Sequence, residues 1–139
     1  MADKISEARR SYNMRRIRSK DTSPEKAVRR LVYHLGYRYR LHDKSLPGKP
    51  DLVFKGRKKA IFVHGCFWHQ HPSGNCADSR PPSSRTEYWL PKLQRNIERD
   101  QSNLQELDRL GWDTLVIWAC QVESDPDNVA ASARSFLDK

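Results

Sequence analysis

The apolar positions of the chain first follow a helical period. In residues 22–36, Thr22 offers an N-cap, Glu25 closes a capping box three residues later, and Gly36 supplies a stop. Between these signals the apolar residues fall on one helical face, at Val28, Leu31, Val32 and Leu35. The pattern therefore predicts a helix that buries one side against a core.

Short apolar runs follow this helix, and turn residues separate them. The runs are YRYRL (37–41), DLVF (51–54) and AIFVH (60–64), with LPGKP and KGRKK as the intervening turns. This spacing predicts a three-stranded meander. Residues 65–85 are rich in Gly, Pro, Ser and Asn, and we expect them to form a loop.

The longest periodic segment lies in the second half of the chain. Residues 86–110 carry a helical stripe that Gly111 ends, WDTLVIW (112–118) predicts a buried strand, and residues 125–137 regain helical spacing. The stripe consists of Trp89, Leu93, Ile97, Leu104, Leu107 and Leu110. A strand that follows a crossover helix implies an α/β fold with a mixed sheet covered by helices.

Charge is distributed unevenly along the 139 residues. The net charge of +9 divides into +8 over residues 1–40, +6 over residues 41–99 and −5 over residues 100–139. This segregation favours a face that binds nucleic acid over a basic surface without a partner. We expect a single domain, in which residues 1–20 are a flexible basic arm and residues 21–139 the core.

The expected cellular compartment decides how the cysteines are interpreted. The sequence has neither a long apolar run nor the apolar core of a signal peptide, so we expect a cytoplasmic protein, associated with the nucleoid when bound to DNA. Three cysteines in a reducing compartment favour metal ligands or free thiols over disulfides.

The stretch HGCFWHQHPSGNC (64–76) concentrates candidate metal ligands. Four residues separate Cys66 from His71 and His71 from Cys76, and Cys120 follows the last predicted strand. Three thiolates and one imidazole form a closed tetrahedral zinc set without a position for catalytic water, so this zinc would be structural. Three unrelated buried thiols are the alternative.

Two histidines of this stretch and one carboxylate remain for other chemistry. His64 ends a predicted strand, His69 lies two residues before a candidate ligand, and Asp51 follows a proline at the start of a strand. A carboxylate on a strand can hold Mg²⁺, and an imidazole can move a proton at neutral pH.

Phe67 and Trp68 lie within the same polar stretch. They either fold back into the core or form a wedge, mounted on a loop that zinc makes rigid, which enters between base pairs and unstacks them.

Taken together, these motifs resemble the very-short-patch repair endonucleases, which nick DNA at T:G mismatches. The similarity lies in NMRRIRSKDTSPE (13–25), LPGKPDLVF (46–54), IFVHGCFWHQH (61–71), RTEYWLPKLQRNIERD (85–100) and GWDTLVIWAC (111–120). It implies a restriction-endonuclease-like core, α-β-β-β-α-β. It also implies a Mg²⁺-dependent, strand-specific nick 5′ of the thymine in a T:G pair created by 5-methylcytosine deamination, which initiates very-short-patch repair.

The resemblance implies five catalytic side chains. Asp51 would hold Mg²⁺, and Glu25 would contact metal-bound water. His69 would activate the attacking water, Asp100 would orient His69, and His64 would support the scissile phosphate or the developing charge.

The remaining metal and DNA contacts also come from the resemblance. Val63 has no ligating side chain, so its backbone carbonyl would join Asp51 on Mg²⁺. Phe67 and Trp68 would intercalate beside the mismatch, while Met14 would enter from the other groove. Other implied DNA contacts come from the basic arm and the long helix, namely Arg9, Arg10, Arg15, Arg16, Arg18, Lys20, Lys92 and Asn96.

The implied partner is double-stranded DNA with a T:G mismatch, followed by downstream mismatch-repair and DNA polymerase partners. One cut on one strand needs only a monomer.

Two other functions remain open from sequence. They are a non-catalytic, zinc-stabilised nucleic-acid-binding module and a nuclease of the same fold that acts on another DNA lesion or structure.

Overall fold

The computed structural model describes residues 22–71 and 84–139, without the side chain of Trp68. In chain order its elements are α1 (Ser23–His34), β1 (Arg40–Leu41), β2 (Leu52–Phe54), a 3₁₀ turn (Lys55–Arg57), β3 (Lys59–His64), α2 (Cys66–His69), α3 (Thr86–Arg109), β4 (Asp113–Trp118), α4 (Ala119–Ser124) and α5 (Pro126–Asp138). The basic arm and Cys76 lie outside this description.

The four strands form one mixed sheet in the order β1-β2-β3-β4. Strands β1, β2 and β3 pair antiparallel, as the predicted meander requires, and β4 returns through α3 to pair parallel with β3. This confirms the predicted α/β class and the mixed sheet with flanking helices.

Helices α1, α4 and α5 cover one face of the sheet. Their apolar residues form a core with three strands, and its members are Val28, Val32, Leu52, Phe54, Ile61, Ile117, Val122, Val129, Ala133 and Leu137. Each large aliphatic side chain buried in this way stabilises the fold by roughly 1.5–3 kcal/mol. The first predicted helical face is confirmed, since Leu31 and Leu35 pack against this core.

Helix α3 carries its own buried residues, Trp89, Leu93 and Leu107. Gly48, in the loop between β1 and β2, lies against α3 as well. A Cβ at Gly48 would come within 3.1 Å of the Phe62 ring and 3.0 Å of the Asn103 amide nitrogen. The loop that precedes β2 is therefore packed between the sheet and α3.

Several boundaries differ from the sequence prediction. Strand β1 contains only Arg40–Leu41, and the predicted 65–85 loop begins with the helical turn α2. The predicted buried strand 112–118 is mostly half-buried, with only Ile117 fully buried. The physical reason is that β4 is the last strand of the described sheet, with a neighbour on one side only. Leu110 is 43 % exposed, because α3 ends at Arg109 before the stripe is complete.

Two basic side chains, one in the 3₁₀ turn and one at the start of β3, hold the end of α5. Lys59 is only 4 % exposed, and its Nζ donates to the carbonyls of Phe136 (2.6 Å) and Lys139 (3.1 Å). Arg57 donates to the carbonyl of Leu137 at 2.9 Å. These donors satisfy C-terminal helix carbonyls that have no partner within the helix.

Within residues 22–71 and 84–139, no helix combines the length and the apolar character that crossing a membrane requires.

Candidate active site

A cavity of about 360 Å³ opens between the β1–β2 loop, the end of β3 and helices α2 and α3. Five residues that the sequence singled out line it, namely Asp51, Val63, His64, His69 and Asp100. The fold thus brings together side chains that are as many as 49 positions apart in the chain.

Asp51 lies immediately before β2, beside strand β3. Because Leu52 pairs with Ile61, continuing the antiparallel register places Asp51 opposite Phe62, the residue before Val63. The Val63 backbone N–H donates to Asp51 Oδ2 at 2.6 Å, which fixes the carboxylate at the cavity wall. The other oxygen, Oδ1, lies 3.9 Å from His42 Nε2.

Glu25 reaches the same place from the first turn of α1, and its side chain is only 2 % exposed. Its carboxylate accepts hydrogen bonds from Arg29 and from His42 Nε2, the latter at 2.6 Å. Only one half of the predicted capping box is therefore formed. Thr22 Oγ1 accepts from the Glu25 N–H at 3.4 Å, whereas the Glu25 carboxylate turns towards the site.

Glu25, His42 and Asp51 form what we call the carboxylate cluster, whose ligand atoms all lie within 4.8 Å of one another. Burial raises the pKa of Asp51 to about 7, the negative charge of Glu25 adds to that rise, and the Val63 N–H opposes it. Because burial disfavours the ionised carboxylate, a cation bound beside it would be stabilising. A donor set of two carboxylates fits a hard divalent cation such as Mg²⁺.

His64, His69 and Asp100 form a second group, the imidazole cluster, beside the first. His69 Nδ1 donates to Asp100 Oδ2 at 2.5 Å, across the contact between α2 and α3. The rings of His64 and His69 stack with centroids 3.9 Å apart and planes inclined by 7°. This arrangement fixes the His69 tautomer, so that its Nε2 is the nitrogen able to accept a proton.

The two stacked imidazoles differ in their environments. Burial, followed by the repulsion from His69, lowers the pKa of His64 to about 4, so His64 is neutral at pH 7. Its Nδ1 is buried without a hydrogen-bond partner among the described residues. Such an atom is costly unless a partner reaches it, which makes contact with a polar ligand favourable there.

A third group, the thiol cluster, consists of Cys66, His71 and Cys120. The parallel register brings the two cysteines together. His64 pairs with Trp118, and Cys66 and Cys120 each lie two residues after one member of this pair. His71 Nδ1 lies 3.3 Å from Cys120 Sγ and 3.8 Å from Cys66 Sγ. Burial lowers the pKa of His71, which favours the neutral imidazole that metal ligation needs.

Phe67 is half-buried, and its ring meets Trp89 edge-on with centroids 5.6 Å apart. Lys92 and Asn96 are both half-buried on α3, and the Lys92 ammonium lies 5.4 Å from the centroid of the Tyr88 ring. The remaining predicted contacts fall outside the described residues, namely Cys76, Met14, Arg9, Arg10, Arg15, Arg16, Arg18 and Lys20 together with the side chain of Trp68.

Known proteins that are similar to this chain all point to one family of DNA endonucleases. The family model of the DNA mismatch endonuclease Vsr matches residues 2–76. The chain belongs to this family. It is 48 % identical to the type II nicking enzyme V.XorIIP of Xanthomonas oryzae pv. oryzae, over 99 % of this chain and 98 % of that protein. It is therefore a DNA endonuclease.

Other members of the family are similar over most of their length. The chain is 44 % identical to the DNA mismatch endonuclease Vsr of Escherichia coli (strain K12), over 86 % of this chain and 75 % of that protein. It is 40 % identical to the type II nicking enzyme V.NmeAIP of Neisseria meningitidis, over 89 % of this chain and 86 % of that protein.

His42 is the site residue that the sequence prediction missed in this member of the Vsr family. It lies one residue beyond strand β1, where the hairpin register pairs Leu41 with Leu52. The register therefore places His42 opposite Asp51. The sequence could have indicated His42. In a hairpin with this register, the residue that follows YRYRL lies beside Asp51, the predicted metal ligand.

Proposed function

We propose that this endonuclease nicks one strand of duplex DNA 5′ of the thymine in a T:G mismatch, with Mg²⁺ as cofactor. The observation that carries the proposal is that Asp51 and His42 of the carboxylate cluster line the same cavity as the whole imidazole cluster. Hydrolysis of a phosphodiester needs both charge neutralisation and proton transfer, and the two clusters supply one each.

The carboxylate cluster would hold the cation. Asp51 is the direct ligand, assisted by the backbone carbonyl of Val63, and Glu25 contacts the cation through water. The cation, when bound, neutralises charge on the scissile phosphate and on the leaving oxygen. The cavity also carries Lys44 and Lys49 at its rim, and these can bind neighbouring phosphates.

The imidazole cluster would move the proton. His69 Nε2 takes a proton from the attacking water, whose oxygen forms the new bond to phosphorus as the bond to the 3′ oxygen breaks. Asp100 keeps His69 in the required tautomer through the 2.5 Å hydrogen bond. Neutral His64 supports the phosphate without adding a competing acid. The products are a 5′-phosphate and a 3′-hydroxyl.

The thiol cluster would hold one structural zinc, with Cys76 as the fourth ligand. The chemistry of the donor set fits this metal, because Cys₃His is a common closed zinc set. Cys66 is the first residue of α2, and His69 is the last. Zinc would therefore fix the helical turn that carries the general base.

Recognition would use the aromatic pair and the basic arm. Phe67 and Trp68 enter the stack beside the mismatch, Met14 enters from the other groove, and the arm clamps phosphates. The edge-on contact with Trp89 supports Phe67 from behind. Lys92 and Asn96 read the mismatched pair. The core is restriction-endonuclease-like, and a monomer suffices for one cut.

A nicking assay tests the proposal directly. Labelled duplexes that differ only by T:G or T:A at one position are incubated with the protein and Mg²⁺. We expect one cut 5′ of the thymine in the T:G duplex, lost in His69→Ala and in Asp51→Asn. Cleavage of other lesions at equal or higher rates would make the chain a nuclease of the same family with another target.

A further inference from the structure

His42 occupies a position between the two carboxylates of the cavity. Its Nε2 lies 2.6 Å from Glu25 Oε2 and 3.9 Å from Asp51 Oδ1. The side chain is 20 % exposed, so the ring forms part of the cavity wall.

The backbone holds His42 in this place independently of its ring. The His42 N–H donates to the carbonyl of Asp51 at 3.3 Å, which closes the hairpin one residue beyond the Leu41–Leu52 pair. His42 then adopts φ +48, and the chain leaves the strand for a turn that the Asp43 carboxylate stabilises by accepting from Ser45. Residues 42 and 51 are thus fixed side by side.

The hydrogen bond from the His42 ring helps to satisfy the buried carboxylate of Glu25. A carboxylate buried this deeply is stable only if strong donors satisfy it, and its orientation follows those donors. Arg29 supplies one donor from the same helix, at the spacing of four residues. His42 supplies a second donor from the sheet side, which is the side on which Asp51 lies.

We propose that His42 is a positioning residue, which donates Nε2–H to Glu25 and holds that carboxylate where it can contact, through water, the divalent cation that Asp51 binds. The inference rests on the proposed function, since it assigns the carboxylate cluster to the cation. His42 acts through Glu25, because one ring nitrogen cannot donate to a carboxylate and ligate a cation at once.

Cation binding in the absence of DNA tests this inference. Calorimetric titration with Mn²⁺ and with Mg²⁺ compares the wild type with His42→Leu and His42→Gln. Leucine cannot donate, whereas the glutamine amide can, and both lack the tolerance of histidine for a positive φ. The difference between the two variants therefore isolates the donated hydrogen bond from backbone strain.

We expect His42→Leu to weaken cation binding by about 10–100-fold, as for other partners of metal-ligating side chains. His42→Gln should recover most of that loss. Melting temperatures of the two variants should agree, and binding to a T:G duplex in EDTA should match the wild type in both.

Several results would overturn the inference. Equal weakening in both variants would assign His42 a packing role, and unchanged binding in both would remove it from the site. Electron-spin-echo spectra of bound Mn²⁺ provide another check. A ¹⁴N coupling that disappears in His42→Leu would make the ring a direct ligand, contrary to the proposal.

The Asp51→Asn variant separates this inference from the proposed function. If the wild type and Asp51→Asn bind Mn²⁺ equally, the assignment of the cation to this cluster fails. If Asp51→Asn loses the cation while both His42 variants retain it, the role of His42 alone is wrong.

Discussion

His69 Nδ1 and Asp100 Oδ2 lie 2.5 Å apart, joined across the contact between α2 and α3. The carboxylate fixes which imidazole nitrogen carries the proton at rest. Asp100→Asn should therefore lower the nicking rate by about 10²-fold or more, within the range that general acid–base catalysis contributes. Single-turnover kinetics on a saturating T:G duplex measure this, with Gln101→Ala, an exposed position outside the cavity on the same helix, as the control. An Asp100→Asn rate equal to that of the wild type would remove the dyad from the mechanism.

Cation binding should depend on pH through Asp51. Because the pKa of Asp51 is raised from 3.8 to about 7, a proton occupies the cluster below pH 7 and competes with the cation. The apparent affinity for Mg²⁺ should rise about tenfold between pH 6 and pH 8 and then level off. Calorimetry at fixed ionic strength measures this rise, and a flat profile would contradict the carboxylate cluster as the binding site.

The same shift affects folding of the metal-free protein. The folded-state pKa of Asp51 lies above the unfolded value of 3.8, so this group contributes stability at low pH, and that contribution falls as pH rises to about 7.

His64 should give the opposite dependence of stability on pH. Its pKa falls from 6.5 to about 4 on folding, so the unfolded chain binds the proton more tightly. The contribution of His64 is fully present above pH 6.5 and is lost as pH falls through 6.5 towards 4. Urea denaturation of the wild type and His64→Gln at pH 7.5 and 5.0 measures the difference. Equal pH dependence in both proteins would show that His64 is not the titrating group.

Removal of the proposed zinc should destabilise the protein and displace His69. Cys120→Ala removes one ligand of the thiol cluster and should reduce bound zinc from one per chain to a small fraction. The melting temperature should fall, and it should become insensitive to chelators. Elemental analysis and thermal denaturation measure both effects. A wild-type protein that melts identically with and without a strong chelator would contradict a structural metal.

Lys59 provides a test of the fold away from the cavity. Lys59→Met keeps the buried stem but removes the donor to the carbonyls of Phe136 and Lys139. We expect a loss of about 1–3 kcal/mol in the free energy of unfolding, because one carbonyl of the last turn of α5 and the carbonyl of Lys139 just beyond it lose their partner. Nicking at a temperature where the variant is folded should be unchanged. As a control, Arg109→Met removes the exposed ion pair with Glu106 and should lower the free energy of unfolding much less.

The sequence indicated which residues share the cavity more completely than it indicated the element boundaries, and the roles of those residues stay predictions. Asp51, His64, His69 and Asp100 were identified by a resemblance that covers most of the chain, and the cavity contains all four. The mixed sheet followed from the crossover helix, and the parallel pairing of β3 with β4 in the structure brings Cys66 towards Cys120. The resemblance therefore named these four residues, and the fold brings them into one cavity.

The features that the sequence did not predict depend on tertiary contacts. Glu25 was expected to close a capping box and to contact metal-bound water. That His42 and Arg29 hold its carboxylate follows only from the docking of α1 on the sheet. The helical turn at Cys66–His69 forms within a stretch whose composition favours a loop. His42 carried no motif, and its position opposite Asp51 follows from the hairpin register.

The most direct test of the account is strand-specific nicking by the wild type and by His69→Ala. Both proteins are incubated with Mg²⁺ and duplexes that contain T:G or T:A, with each strand labelled separately. We predict one cut on the thymine strand of the T:G duplex by the wild type, and a rate at least about 10²-fold lower for His69→Ala. A His69→Ala protein that cuts at the wild-type rate would contradict the account.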